Sequence, residues 1–238
     1  MRGLLYILLL AGAVCVLGVY VLLPAAADGM MTMAVGAAGL QAPDTVVRVR
    51  SDPPWDLVGL HADTVQVRAT GAMFRGYHVD TVAFDLGNVS LLDRTAKSVA
   101  GRLDGLVLPD IGPKGLRLAT VTLSGSGGPI TATSLVASAA AQVLIADAVQ
   151  ATLGRRPTAV ELATPDRVTV HLGSDVTGTI SVLTSGRLVI HVEGGAMAGQ
   201  DLVVLGAGAG LPFTLTSVTV TPDGGLRVVG DLAGGLLG

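Results

Sequence analysis

The sequence predicts an α+β fold: a strongly curved, mainly antiparallel sheet wrapped around one long apolar helix, preceded by an N-terminal transmembrane or signal helix. Three observations carry this expectation. Apolar and polar residues alternate with period two in segment after segment from Thr45 onward, the pattern of strands with one buried and one wet face. One segment, residues 131–156, breaks the alternation and has helix-forming composition. Residues 3–27 carry no charge, and a run of that length spans a bilayer core of roughly 30 Å.

Composition agrees. At 238 residues the chain has room for one domain with a sizeable core plus appendages. Hydrophobic residues make up 50%, yet only 3% are aromatic and 14% charged, against roughly 25% charged in soluble domains. The core is therefore built from Val, Leu and Ala. The 15 basic residues are unclustered and the net charge is -3, which argues against a nucleic-acid partner. Cys15, the single cysteine, lies in the apolar N-terminal run, so the chain holds no disulfide framework. Gly12-Ala13-Val14 before it is not the triplet that directs lipidation.

Leu4 to Leu23 is nearly all Leu, Val, Ile, Ala and Gly. Cleaved signals have apolar regions of about 7–15 residues, so this length favours an uncleaved anchor, although Ala25-Ala26-Ala27 offers a cleavage site before Asp28. Arg2 stays cytoplasmic in either case. The expected location is the extracytoplasmic face of the cell membrane, or secreted if the segment is cut. Residues 1–27 are thus a signal anchor or signal peptide, 28–44 a linker or short membrane-adjacent helix closed by Pro43, and 45–238 the folded domain.

Strands are predicted at VVRVR (46–50), TVQVRA (64–69), TVAFDL (81–86), LRLATVTL (116–123), RVTVHL (167–172), TISVLTSGRLVIHVEG (179–194), LTSVTV (215–220) and LRVVGDL (226–232). Thr221-Pro222-Asp223-Gly224-Gly225 joins the last two as a hairpin. In residues 131–156, Thr133 or Ser134 is the candidate N-cap and Gly154-Arg155-Arg156-Pro157 the stop. At 100° per residue Leu135, Val136, Val143, Leu144, Ile145, Val149 and Leu153 fall all around the axis, which predicts a helix buried under the sheet or facing lipid. A curved sheet along such a helix leaves an apolar groove, where each buried CH₂ of an acyl chain contributes about 0.8 kcal/mol.

The motif His-x-Asp-Thr-Val occurs twice, at His61 and His78, with Asp63 and Asp80. Four such side chains suggest a metal or acid/base site. The short connection, however, allows only antiparallel pairing of the following strands, which puts the two histidines at opposite ends of a hairpin, roughly 20–30 Å apart. No metal site is expected, and Val65, Val67, Val82 and Phe84 are expected in the core. Gly206, Gly208 and Gly210 lack the spacing and the following helix of a dinucleotide loop, so no cofactor is expected. His171 and His191 read as surface strand residues. No hydrolase or protease motif appears, and neither an enzymatic activity nor a catalytic residue is expected. Asn88-Val89-Ser90 has the form of a glycosylation acceptor.

Several stretches together resemble the LmeA-like family of phospholipid-binding proteins of the bacterial cell envelope. They are the N-terminal apolar run, SDPPWDLVGLHADTVQVRATG, YHVDTVAFDLGNVSL, GGPITATSLVASAAAQVL and, most closely, LPFTLTSVTVTPDGGLRVVGDL. The resemblance implies a fold similar to the tubular lipid-binding (TULIP-like) proteins and noncovalent binding of phospholipid or another acyl-chain lipid, and it brings no catalytic residues. The expected lipid-binding residues are Trp55, Leu135, Val136, Ala139, Val143, Leu144 and Phe213, and the expected partners are lipid and, through the N-terminal helix, the membrane. Rival readings are an envelope scaffold with a full core and an extracytoplasmic hydrolase that uses Ser, His and Asp.

Overall fold

The computed structural model describes residues 23–232, apart from 38, 75, 91, 94, 112–114, 195–196 and 208–210. Cys15, most of the apolar N-terminal run, Gly208 and Gly210 lie outside the described residues. Two antiparallel sheets make up most of the structure. The larger contains β1 (Leu40–Gln41), β2 (Asp44–Arg50), β3 (His61–Phe74), β4 (Tyr77–Ser90), β5 (Thr95–Leu108), β6 (Leu116–Ser126), β7 (Ile130–Val136), β13 (Thr214–Val220) and β14 (Leu226–Leu232). Its order is β1-β3-β4-β5-β6-β7-β14-β13, with β2 also pairing with β3. The smaller sheet runs β12 (Asp201–Leu205), β11 (Leu188–Val192), β10 (Asp175–Val182), β9 (Arg167–His171), β8 (Ala159–Ala163). The turn over residues 221–225 joins β13 and β14 as expected from its residues.

The expected single sheet around one long apolar helix is not what forms. There are two sheets, and the two described α-helices are short: α1 (Leu23–Ala37) and α2 (Ser138–Leu153). Residues 131–136, expected at the start of the helical segment, lie in the strand Ile130–Val136 between β6 and β14, and Ser134 is buried with its hydroxyl donating to the Thr120 carbonyl. The reason is local. Ile130-Thr131-Ala132-Thr133-Ser134-Leu135-Val136 is rich in β-branched residues and alternates its buried positions, and β-branched side chains pack best on a pleated surface. The helix begins only after Ala137, with no side-chain cap, and stops at Gly154 in the left-handed conformation at φ 68°.

Nor is α2 buried all round. Its buried residues are Ala141, Leu144, Ile145 and Val149, one stripe at i, i+3, i+4 and i+8, while Val143 is half exposed. Leu135 and Val136, which helped to spread the apolar residues around the wheel, lie in β7 and not in the helix. The helix packs on β8 and β12, the outermost strands of the smaller sheet. It caps that sheet and does not run as an axis through the larger one. No helix among the described residues is long and apolar enough to cross a membrane.

The larger sheet is creased. Ala69, Val82, Leu103 and Val121 form one buried row of partners across β3 to β6, and the next buried side chains are Ala72, Val79, Leu106 and Leu118. In each strand two residues separate the rows where strict alternation allows one, so all four strands turn at the same height. Gly71 and Gly105 sit in the crease at φ 57° and 67°, conformations that cost other residues about 1–2 kcal/mol. Asp80 and Asp104 lie on its outer side. Asp104 accepts from Thr120 Oγ1 at 2.7 Å, from Arg102 Nε at 2.9 Å and from Thr81 Oγ1 at 3.2 Å. The Thr120 bond first, then Arg102, holds its carboxyl below the usual range. Asp80 pairs with Arg117, and His78 Nε2 lies 3.6 Å from it.

The doubled His-x-Asp-Thr-Val resolves as an element of this sheet. β3 and β4 are antiparallel, His61 opposes Ser90, and His78 opposes Met73 at the other end. The two histidines therefore cannot share a ligand. Val65, Val67, Val82 and Phe84 are all buried, as expected, and Phe84 lies over Gly101, its partner on β5.

Candidate functional site

The β2–β3 connection builds an indented surface. Pro53 and Pro54 stop β2, and the chain winds into a 3-10 turn, Pro54–Gly59, closed by Leu60 in the left-handed conformation at φ 57°. The buried Leu57 pins the turn to the core. Asp63 fastens its entrance by accepting the Asp52 N–H at 2.7 Å. α1 approaches from the other side, where Asp28 Oδ1 accepts the Val49 N–H at 2.6 Å and so satisfies a donor on the sheet's edge.

Two open clefts flank this turn. One, of about 620 Å³, is lined by Asp28, Arg48, Val49, Arg50, Ser51, Asp52, Leu57, Asp63 and Thr64. The other, of about 640 Å³, is lined by residues that include Trp55, His61, Asn88, Ser90, Asp93 and Lys97. Both volumes suit small-molecule sites. Arg48 and Arg50 project from the same face of β2, two residues apart, and make no ion pair among the described residues. Asp28 and Asp63 are engaged with backbone N–H groups, whereas the guanidinium groups have no ion pair among the described residues and can meet an anion.

The second cleft gathers His61, Ser90 and Asp93 without linking them as a catalytic set. His61 Nδ1 lies 2.7 Å from the Gly59 carbonyl, and Ser90 Oγ donates to Asp93 Oδ2 at 2.8 Å. A serine nucleophile needs its proton held by a base such as histidine. Here a carboxylate holds it. Among the described residues no group of three or more His, Cys, Asp and Glu side chains is placed to hold a metal ion.

Of the seven residues expected to bind lipid, only Trp55 lines these clefts. Leu135 and Val136 lie on β7, four strands from β3 and so roughly 19 Å away. Leu135 faces solvent and Val136 the core. On α2, Ala139 and Val143 are exposed and Leu144 is buried. Phe213 is buried against Gly230. Sequence reasoning missed Arg48, Arg50, Ser90, Asp93 and Lys97 and set Asp63 aside with the histidine motif. The available signal was Ser51-Asp52-Pro53-Pro54-Trp55, a stop that forces a turn and leaves the neighbouring strand end uncovered.

The histidines of the smaller sheet behave as surface strand residues. His191 Nδ1 lies 2.9 Å from Asp201. His171 Nδ1 lies 2.6 Å from Asp175, with Glu161 at 3.5 Å from Nε2. The Asp175 bond raises the His171 pKa above its usual value. The protonated ring therefore favours the folded state: its contribution is full below about pH 6.5, the usual histidine value, and is lost as pH rises through the elevated folded pKa. Titration of the His171 ring by NMR is expected to return its midpoint towards the usual value in Asp175→Asn. An unchanged midpoint would remove Asp175 as the cause.

No family model, curated protein or solved structure matches the chain.

Proposed function

We propose that the protein is an extracytoplasmic, membrane-anchored binder of phospholipid or a similar acyl-chain ligand, held noncovalently for storage, transfer or maintenance of the envelope. The observation that carries this reading is the pair of clefts at the Pro54–Gly59 turn. The first combines Arg48 and Arg50, which make no ion pair among the described residues and suit a phosphoryl group, with apolar Val49 and Leu57. Placing four CH₂ groups of a chain against such a surface contributes about 3 kcal/mol. The motifs that resemble the LmeA-like family and the uncharged N-terminal run support the same reading. The ligand site therefore belongs at the β2–β3 end of the larger sheet.

The test is uptake of a fluorescent phospholipid by the purified full chain, with native mass spectrometry to detect lipid that copurifies. Thr64→Trp, which fills the first cleft from its floor, is expected to weaken uptake roughly tenfold, the effect of about 1.4 kcal/mol. Wild-type protein that takes up no lipid would sink the proposal. A second reading, a hydrolase, is favoured by one observation, the shared cleft of His61, Ser90 and Asp93. Covalent labelling by a fluorophosphonate that disappears in Ser90→Ala would replace binding by catalysis.

A further inference from the structure

Large apolar side chains left in water are unremarkable when scattered and informative when gathered. Trp55, Val58 and Leu92 are 58%, 67% and 73% exposed. Trp55 and Val58 share the Pro54–Gly59 turn, and Leu92 adjoins Asp93, which lines the same cleft as Trp55. All three therefore stand at one end of the larger sheet, where β2 ends, β3 begins and β4 turns into β5.

The direction of α1 gives this end its meaning. Asp28 binds Val49, near the turn, while Leu40, just beyond the helix, pairs with Phe74 at the opposite end of β3. The helix thus runs antiparallel to β2, and its first residue, Leu23, lies at the end of the sheet that carries Trp55. The uncharged segment before Leu23 joins the domain at that end.

We infer that Trp55, Val58 and Leu92 form a docking face that rests on the lipid bilayer, a second membrane contact made by the folded domain itself. The inference rests on the reading that the N-terminal run is a membrane anchor. A bilayer is the occupant that the chain already holds at this end, and an indole flanked by aliphatic side chains is the residue type that settles at the headgroup boundary. The clefts beside the face would then open towards the lipid they draw from. Around it Asp28, Asp52, Asp56, Asp63 and Asp93 outnumber Arg48, Arg50 and Lys97, so the contact is apolar, with no need of anionic lipid and little sensitivity to salt.

Trp55 is the only tryptophan in the chain, so its fluorescence reports on this face alone. The experiment places the full chain in phosphatidylcholine vesicles, checks association by flotation, and compares Trp55 emission with and without acyl-chain bromines. Expected is a loss of half or more of the emission in brominated vesicles, unchanged at high salt and much reduced in Val58→Asp and in Leu92→Asp. Neither residue lines the described clefts, so quenching that survives both substitutions puts the lipid inside the cleft and overturns the docking face. A chain that floats while Trp55 stays unquenched also overturns it and leaves the anchor standing. A chain that does not float overturns both.

Discussion

Gly178→Ala is expected to lower the melting temperature by about 6–12 °C, as followed by calorimetry or circular dichroism, the shift that corresponds to a loss of about 3 kcal/mol in a chain of this size. Gly178 lies on β10, the central strand of the smaller sheet, opposite Val192 on one side and Val168 on the other. A Cβ built there would lie 2.4 Å from the His191 carbonyl oxygen and 3.0 Å from Ile190 Cγ2. The oxygen is backbone, so relief comes only from separating β10 and β11. Gly128→Ala is the control: it has nothing within 4 Å and needs no left-handed φ, and its effect is expected within ±0.5 kcal/mol. Equal melting temperatures for the two variants would show that the strands part more easily than their geometry implies.

The second large effect is expected on α2. Ile145→Ala removes a fully buried side chain from the helix stripe and is expected to cost about 2–5 kcal/mol in chemical denaturation, transfer and cavity together. Val143→Ala, two residues away and 50% exposed, is expected to cost less than about 0.5 kcal/mol. A comparable loss at both positions would restore a helix enclosed on every side. The contrast also bears on function, because Val143 was a candidate lipid contact and Ile145 was not.

Much of the sheet was legible in the sequence because alternation reports a buried face directly. The predicted segments from Val46 to Leu232 lie mainly in strands, residues 179–194 forming the end of β10, a turn and β11, and the antiparallel β3–β4 pairing follows from the short connection between the two histidine motifs. Three kinds of information were not legible. Thr95–Leu108 was passed over because Gly101 and Gly105 interrupt its alternation, yet Gly101 makes room for the Phe84 ring and Gly105 serves the crease. Thr131–Val136 reads as one segment with the helix because the capping position holds Ala137, which makes no side-chain cap, and Ser138 falls one residue inside the helix. The clefts were invisible because they depend on which strand end the Pro54–Gly59 turn leaves open. Only Trp55 could be picked from the chain, as the one aromatic residue in a proline-stopped turn.

The order of the larger sheet carries one more consequence. β7 pairs with β14, which pairs in turn with β13, and the chain from β7 to β13 forms α2 and the five strands of the smaller sheet before it returns to the larger one. The smaller sheet is thus a guest within the larger one. Closing a longer loop costs only about 0.6 kcal/mol per doubling of its length, so the host loses little by carrying it, and the buried residues of both sheets join one hydrophobic core. A loss in the insert, as at Gly178, is therefore felt by the host sheet through the core that the two share.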